Sequence, residues 1–253
     1  MASSDFGPLA DPMEEALAFA RAGDFVSAFS IWEPLAYAGV SRAQSNLGIC
    51  FEQGLGVRED RELAFKWIGL AAANGDPVGE RNYATLHLQA HSRDVDTAAY
   101  YYRRAAGRGD VRAQDQLSSI LVDGLVAPTH ASEAFEWASK AASQASLAAM
   151  TRLGLIYHEA KGVERDPATS VHWWQRAARL GDSEAQAMLG AALSLGSGVL
   201  RDDIQALAWL LLAKAGGSGL ADRYMVPVAK RMSESDVQEA ERRSKTLAPG
   251  TRQ

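Results

Sequence analysis

Four arginines, Arg42, Arg81, Arg112 and Arg152, are the residues whose type and spacing most invite chemistry. Arg42 and Arg112 occupy one equivalent slot relative to the apolar pattern. Arg81 falls a turn later on the same helical face, and Arg152 one residue further on. A guanidinium presents a planar fork of donors that fits a carboxylate or phosphate bidentately. Asn46 and Asn82 share a second slot, immediately before Leu47 and Tyr83, and their amides both donate to and accept from extended peptide backbone. The set points to capture of an acidic or C-terminal segment of a protein partner. The competing reading is a solvated face held by intramolecular salt bridges. A second cluster is Tyr100, Tyr101, Tyr102, Arg103 and Arg104. Register turns Tyr101 toward the core and leaves Tyr100 and Tyr102 exposed as interface anchors, with a packed inter-repeat contact as the alternative.

The remaining reactive side chains do not assemble into a catalytic or metal signature. His87 and His91 are four apart with Asp94 nearby, but His87 aligns with the packing positions Phe51 and Tyr157, and His91 falls in a turn. No HExxH and no cysteine cluster accompanies them. His158-Glu159 lacks a third, orienting group, and neither Gly-x-Ser-x-Gly nor a P-loop occurs. Cys50 is the single cysteine and lies in an apolar run, so it reads as a buried, inert thiol that forms no intrachain disulfide. Catalytic residues, cofactors and bound metals are therefore not expected.

Composition narrows the partner. A net charge of −5 and a pI of about 5.6 argue against nucleic acid or an anionic membrane. MASSDFGPLADP has no basic start and no apolar stretch of signal length, and no segment reaches the roughly 20 apolar residues of a membrane helix. The expectation is a soluble, cytoplasmic protein without direct membrane insertion.

The elements that must position these residues recur. Trp67, Tyr101, Trp137, Trp173 and Trp209 are separated by 34, 36, 36 and 36 residues. Asp60, Asp94, Asp166 and Asp202 lie seven residues before four of them, with His130 in the fifth place. Gly75, Gly109, Gly181 and Gly217 lie eight residues after, with Ala145 in the fifth place. Such a period marks a helical repeat array, in which each unit buries its apolar face on its neighbours. In Ala43–Gly75, Ala43, Leu47 and Phe51 form one helical face. Gly54 and Gly56 break that helix, Val57 packs over the turn, and Asp60 caps the next helix. Ala64, Trp67, Ala71 and Ala72 are its buried stripe, and Gly48 lets the two helices approach closely. Two units depart from this. In Gly79–Gly109, Tyr83-Ala84 replaces Leu-Gly, and the loop is two residues short and lacks Gly-x-Gly. In Ala113–Ala145, Ser118 replaces the helix glycine.

The pieces LGICF, GLGVRED and AFKWIGLAA resemble the Sel1-like repeat family, a relative of the tetratricopeptide repeats, over roughly residues 12 to 232. The resemblance implies an all-α fold: a right-handed α-solenoid of helix-turn-helix repeats with capping helices. The expected units are about 11–40, 41–75, 76–109, 110–145, 146–181 and 182–217. They form a single solenoid over 11–247, with capping helices at 218–247, a disordered 1–10 and a frayed 248–253. Helices are expected from Pro12 to Ala22, after Asp24 with Pro34 late inside it, over Gly219–Met232 with Pro227 inside it, and after Ser233 or Ser235.

The resemblance also implies a non-enzymatic adaptor. In carboxylate-clamp tetratricopeptide proteins an Asn at a place similar to Asn46 and Asn82 holds peptide backbone on the concave side. Cysteine-rich relatives have been associated with β-lactam hydrolysis, but they carry a disulfide in each repeat, which the single Cys50 does not match. A self-assembling homo-oligomer is the remaining alternative.

Overall fold

The computed structural model describes residues 11–90, 93–126 and 131–247. Among them are 14 helices and no strand. The chain forms two compact units, Met1–Ala113 and Gln114–Gln253. The first contains α1 (Pro12–Arg21), α2 (Phe25–Tyr37), α3 (Ser41–Gln53), α4 (Arg61–Ala73), α5 (Pro77–Gln89) and α6 (Val95–Gly107). The division falls inside α7 (Val111–Val122). The second continues with α8 (Ala131–Ser143), α9 (Leu147–Glu159), α10 (Pro167–Arg179), α11 (Ser183–Leu195), α12 (Asp203–Ala215), α13 (Leu220–Ala229) and α14 (Glu234–Leu247). The expectations for residues 1–10, His91, His130 and 248–253 lie outside the described residues.

Four hairpins are each closed by one aspartate working in both directions. The Asp60 carboxylate accepts from the Glu62 and Leu63 amides at 3.0 Å, satisfying donors that the first turn of α4 leaves unpaired. Asp94, Asp166 and Asp202 do the same for α6, α10 and α12. Their own amides return to the end of the first helix, onto the carbonyls of Phe51, His87, Tyr157 and Leu193. The hydrogen bonds from Thr169 hold the Asp166 carboxyl below its usual range. The last helix is capped by Ser233, whose hydroxyl accepts from the Asp236 amide at 3.2 Å.

Packing inside a hairpin sets a small residue of the first helix against a large one of the second. A Cβ added at Gly190 would stand 2.7 Å from Leu210 Cγ, and one at Gly48 or Gly154 would collide with Ile68 or with the Trp174 indole. This corrects the aromatic register in three repeats. Trp67 and Trp209 are buried as expected, but in α6 and α10 the buried rings are Tyr102 and Trp174, while Tyr101, Trp137 and Trp173 are half-buried. Adjacent helical positions both lean toward the partner, and the one facing the small residue goes in deepest. At the C-terminal end α14 packs on α12 and buries Ala240.

Candidate interaction surface

Three arginines of the row, Arg42, Arg81 and Arg152, are engaged within the protein. Arg42 Nε and Nη2 donate to Asp76 Oδ1 at 3.1 and 3.0 Å, and Asp76 also caps α5 through the Gly79 amide at 2.7 Å. Arg81 Nη1 donates to Asp110 Oδ2 at 3.0 Å, and Asp110 accepts the Ala113 amide at 2.7 Å. Arg152 Nη2 reaches Asp115 Oδ1 at 3.1 Å. In the second unit Thr151 plays the clamping part, donating to the α11 cap Asp182 at 3.0 Å. The first helix of one repeat thus holds the cap of the next. Burial raises the Asp115 carboxyl above its ordinary range, partly offset by Arg152.

The side chains of Arg81 and Arg152 are only 16% and 17% exposed, whereas that of Arg42 is 49% exposed and Arg112 lies at the surface. Asn82 Oδ1 accepts from Arg81, and its amide faces Ser45 Oγ at 3.4 Å. The Asn46 amide nitrogen is buried with no partner among the described residues.

The tyrosine cluster divides differently from its expected register. Tyr102 is 1% exposed and its hydroxyl is 2.9 Å from Thr85 Oγ1, so it is core rather than a partner contact. Burial raises its phenol above the ordinary range. Tyr100 is 54% exposed and stands at the end of an edge-to-face ring series. Phe65 meets Tyr83 at 5.0 Å, Tyr83 meets Tyr101 at 4.9 Å, and Tyr101 meets Tyr100 at 5.1 Å. His87 joins from the side, 5.0 Å from Phe65 and 4.7 Å from Tyr83, with Asp94 at 3.7 Å. The Arg104 guanidinium lies 5.6 Å from the ring centres of both Tyr100 and Tyr101. The departure of Tyr83 from the Leu-Gly pattern was the signal for this series.

Arg104 is held from behind by a residue that the sequence reading passed over. In α3, Gln44 donates to the Ala36 carbonyl and accepts from Asn74, at 3.1 and 3.0 Å. Gln114 accepts from Gln144 at 2.9 Å in the corresponding places. In α5 the slot is Glu80, 0% exposed, whose Oε1 takes Arg104 and Arg108 at 2.8 Å each, while Oε2 has no partner among the described residues. An amide clasp has become a buried ionic one.

The other reactive groups stay apart. Burial pushes the Cys50 thiol up to about 11, which leaves it un-ionised and unreactive at neutral pH. The His158 ring packs toward Trp174, while Glu159 pairs with Lys161 at 2.8 Å, so the two neighbours diverge.

Helix pairs with these caps, small-residue contacts and inter-repeat clamps define an α-helical repeat solenoid. The chain belongs to the Sel1 repeat family, which matches residues 41–76, 77–110, 111–146, 147–182 and 183–218. Repeats of this family generally serve protein–protein interaction.

Among solved structures the fold is similar to c5321, a protective antigen present in uropathogenic Escherichia coli strains. The TM-score is 0.88 at 28% identity, covering 93% of this chain and 52% of that one. It is also similar to a Sel1 repeat protein from Oxalobacter formigenes, with TM-score 0.83 and 23% identity, covering 97% of this chain and all of that one. DAP3-binding cell death enhancer 1 of Mus musculus is 28% identical over 181 residues, which is 56% of this chain and 36% of the mouse protein. The chain thus spans about a third of the mouse relative's length and about half of the antigen's. Among the described residues no helix is long and apolar enough to cross a membrane.

Proposed function

We propose that the protein is a non-enzymatic adaptor that holds a peptide or domain of a regulatory partner, and that the first unit carries the contact. The observation that supports this most is the ring series ending at Tyr100, with Arg104 against its two outer tyrosines. Tyrosine and arginine are favoured anchors of protein interfaces, and these are pre-ordered by packing from behind. Arg42 and Arg112 are the arginines of the row that keep exposed donors, and they favour an acidic partner segment.

The test is site-specific photocrosslinking in the native cell. A crosslinker at position 100 is expected to capture a discrete protein, and one at the exposed Gln238 of α14 is not. Capture at 100 is expected to fall when Arg104 is replaced by Ala. Equal labelling from both positions, or none from position 100, rules the surface out.

A further inference from the structure

In three repeats the glycine two residues after the helix-closing residue of the loop is seated on the first residue of the preceding repeat's second helix. Gly56 lies on Phe25, Gly162 on Ala131 and Gly198 on Pro167, each so close that a Cβ would collide with that residue's backbone. All three glycines have positive φ, between 69° and 75°. The equivalent first residue of α4 is Arg61. The loop that follows α5 is two residues shorter and has no Gly-x-Gly. Nor does α5 end in the left-handed turn that closes α3, α9 and α11; Ala90 is extended, with φ −60° and ψ 152°.

At this corner lies a cavity of about 360 Å³. Its apolar walls are Ala64, Phe65, Leu86 and Ala90, and Gln53 and Gln89 supply amides. Two charged groups border it. Arg61 stands at the rim with its side chain 86% exposed and within 3.8 Å of Glu59, and its charge also acts on Glu52. Glu52 belongs to the lining, half-buried, and burial raises its carboxyl above the ordinary range more than Arg61 and Gln53 lower it. A carboxylate in such a place gains from a cation that replaces its lost hydration. Phe65 also begins the ring series, so cavity and ladder are continuous through one side chain.

The geometry points to a socket for one basic side chain, Lys or Arg, of the bound protein segment. The alkyl stem lies between Phe65 and Leu86, and the charged head meets Glu52 and the two glutamine amides. This rests on the adaptor reading above and adds to it a residue type that the partner must present.

The test uses the full chain and small probes: N-acetyl-argininamide and N-acetyl-lysinamide, with uncharged N-acetyl-norleucinamide for comparison. NMR signals of the Leu86 methyls and the Phe65 ring report the cavity. Both basic probes are expected to shift them, and Glu52→Gln is expected to weaken binding about tenfold, as loss of one close charge pair does. Glu62→Gln, on the exposed first turn of α4, is expected to leave binding unchanged, and thermal melts establish that both variants are folded. Equal binding of the norleucine probe, equal affinity in Glu52→Gln, or no shift at Leu86 and Phe65 each overturns the socket. Tyr100→Ala is expected to spare probe binding. If it does while crosslinking from position 100 finds nothing, the adaptor surface fails and the socket stands.

Discussion

Repeats 147–182 and 77–110 are built from the same pair of 13-residue helices and closed by the same aspartate, yet they finish their corners in opposite ways. In the first, Gly162 drives loop backbone onto the preceding hairpin and Gly154 admits Trp174 between the helices. In the second, the loop is shorter, Ala84 and Tyr102 take the places of Gly154 and Trp174, and Glu80 is buried where repeat 147–182 has Met150 and three others have glutamine. Beside Gly162 loop backbone seats on the preceding hairpin; beside the end of α5, Leu86, Gln89 and Ala90 join side chains of α3 and α4 around a cavity.

The sharpest way to test this contrast is at the two interior rings. Trp174→Ala is expected to cost about 3–5 kcal/mol in urea unfolding, against roughly 1 kcal/mol for Trp173→Ala next to it. Equal losses would undo the assignment of Trp174 to the interior. Glu80→Ala leaves Arg104 and Arg108 beside an emptied site and is expected to cost about 3–5 kcal/mol, measured the same way. The pair Glu80→Gln with Arg108→Asn transplants the Gln44–Asn74 clasp and is expected to recover most of that loss. Failure to recover would mean that the ionic pair is specific to its repeat.

Smaller effects are expected at the corners. Gly162→Ala forces a methyl against Ala131 and is expected to cost about 1–3 kcal/mol by thermal or urea unfolding. The converse change, two residues restoring Gly-x-Gly after Ala90, is expected to abolish the argininamide shift at Leu86. The smallest effect belongs to Asp203, whose hydrogen bonds from Arg231 and then Arg201 depress its carboxyl from 3.8 to about 2. A depressed carboxyl contributes stability above its unfolded value and loses it as pH falls through its folded value. Wild type is thus expected to lose this contribution between 3.8 and about 2, and Asp203→Asn to show a flatter acid limb there.

Much of this was legible in the chain because it depends on local rules. Aspartate at a fixed distance before four of the rings reads as a cap, and Gly48 reads as a close approach, since each needs only its own neighbourhood. The buried ring in α6 and α10 was read one residue early, because a period cannot say which of two adjacent positions faces the glycine. The arginine row was legible as a row, and internal salt bridges as one of its two readings, but not which carboxylates it grips. Its partners Asp76 and Asp110 lie about 30 residues on, and each already had a local explanation as a cap. The socket at Glu52 was not legible at all, since its lining is assembled from α3, α4 and the end of α5, which no single stretch of sequence displays together.

That double duty has a consequence for how the array comes apart. Asp76 and Asp110 start one helix pair while being gripped by the pair before, and Asp182 is gripped in the same way by Thr151. Melting of one module therefore withdraws a nucleating contact from the next, so disorder spreads along the chain by nearest-neighbour coupling rather than staying local. A fragment cut just ahead of such an aspartate keeps its cap but loses the grip, and its first helix is the place where fraying begins.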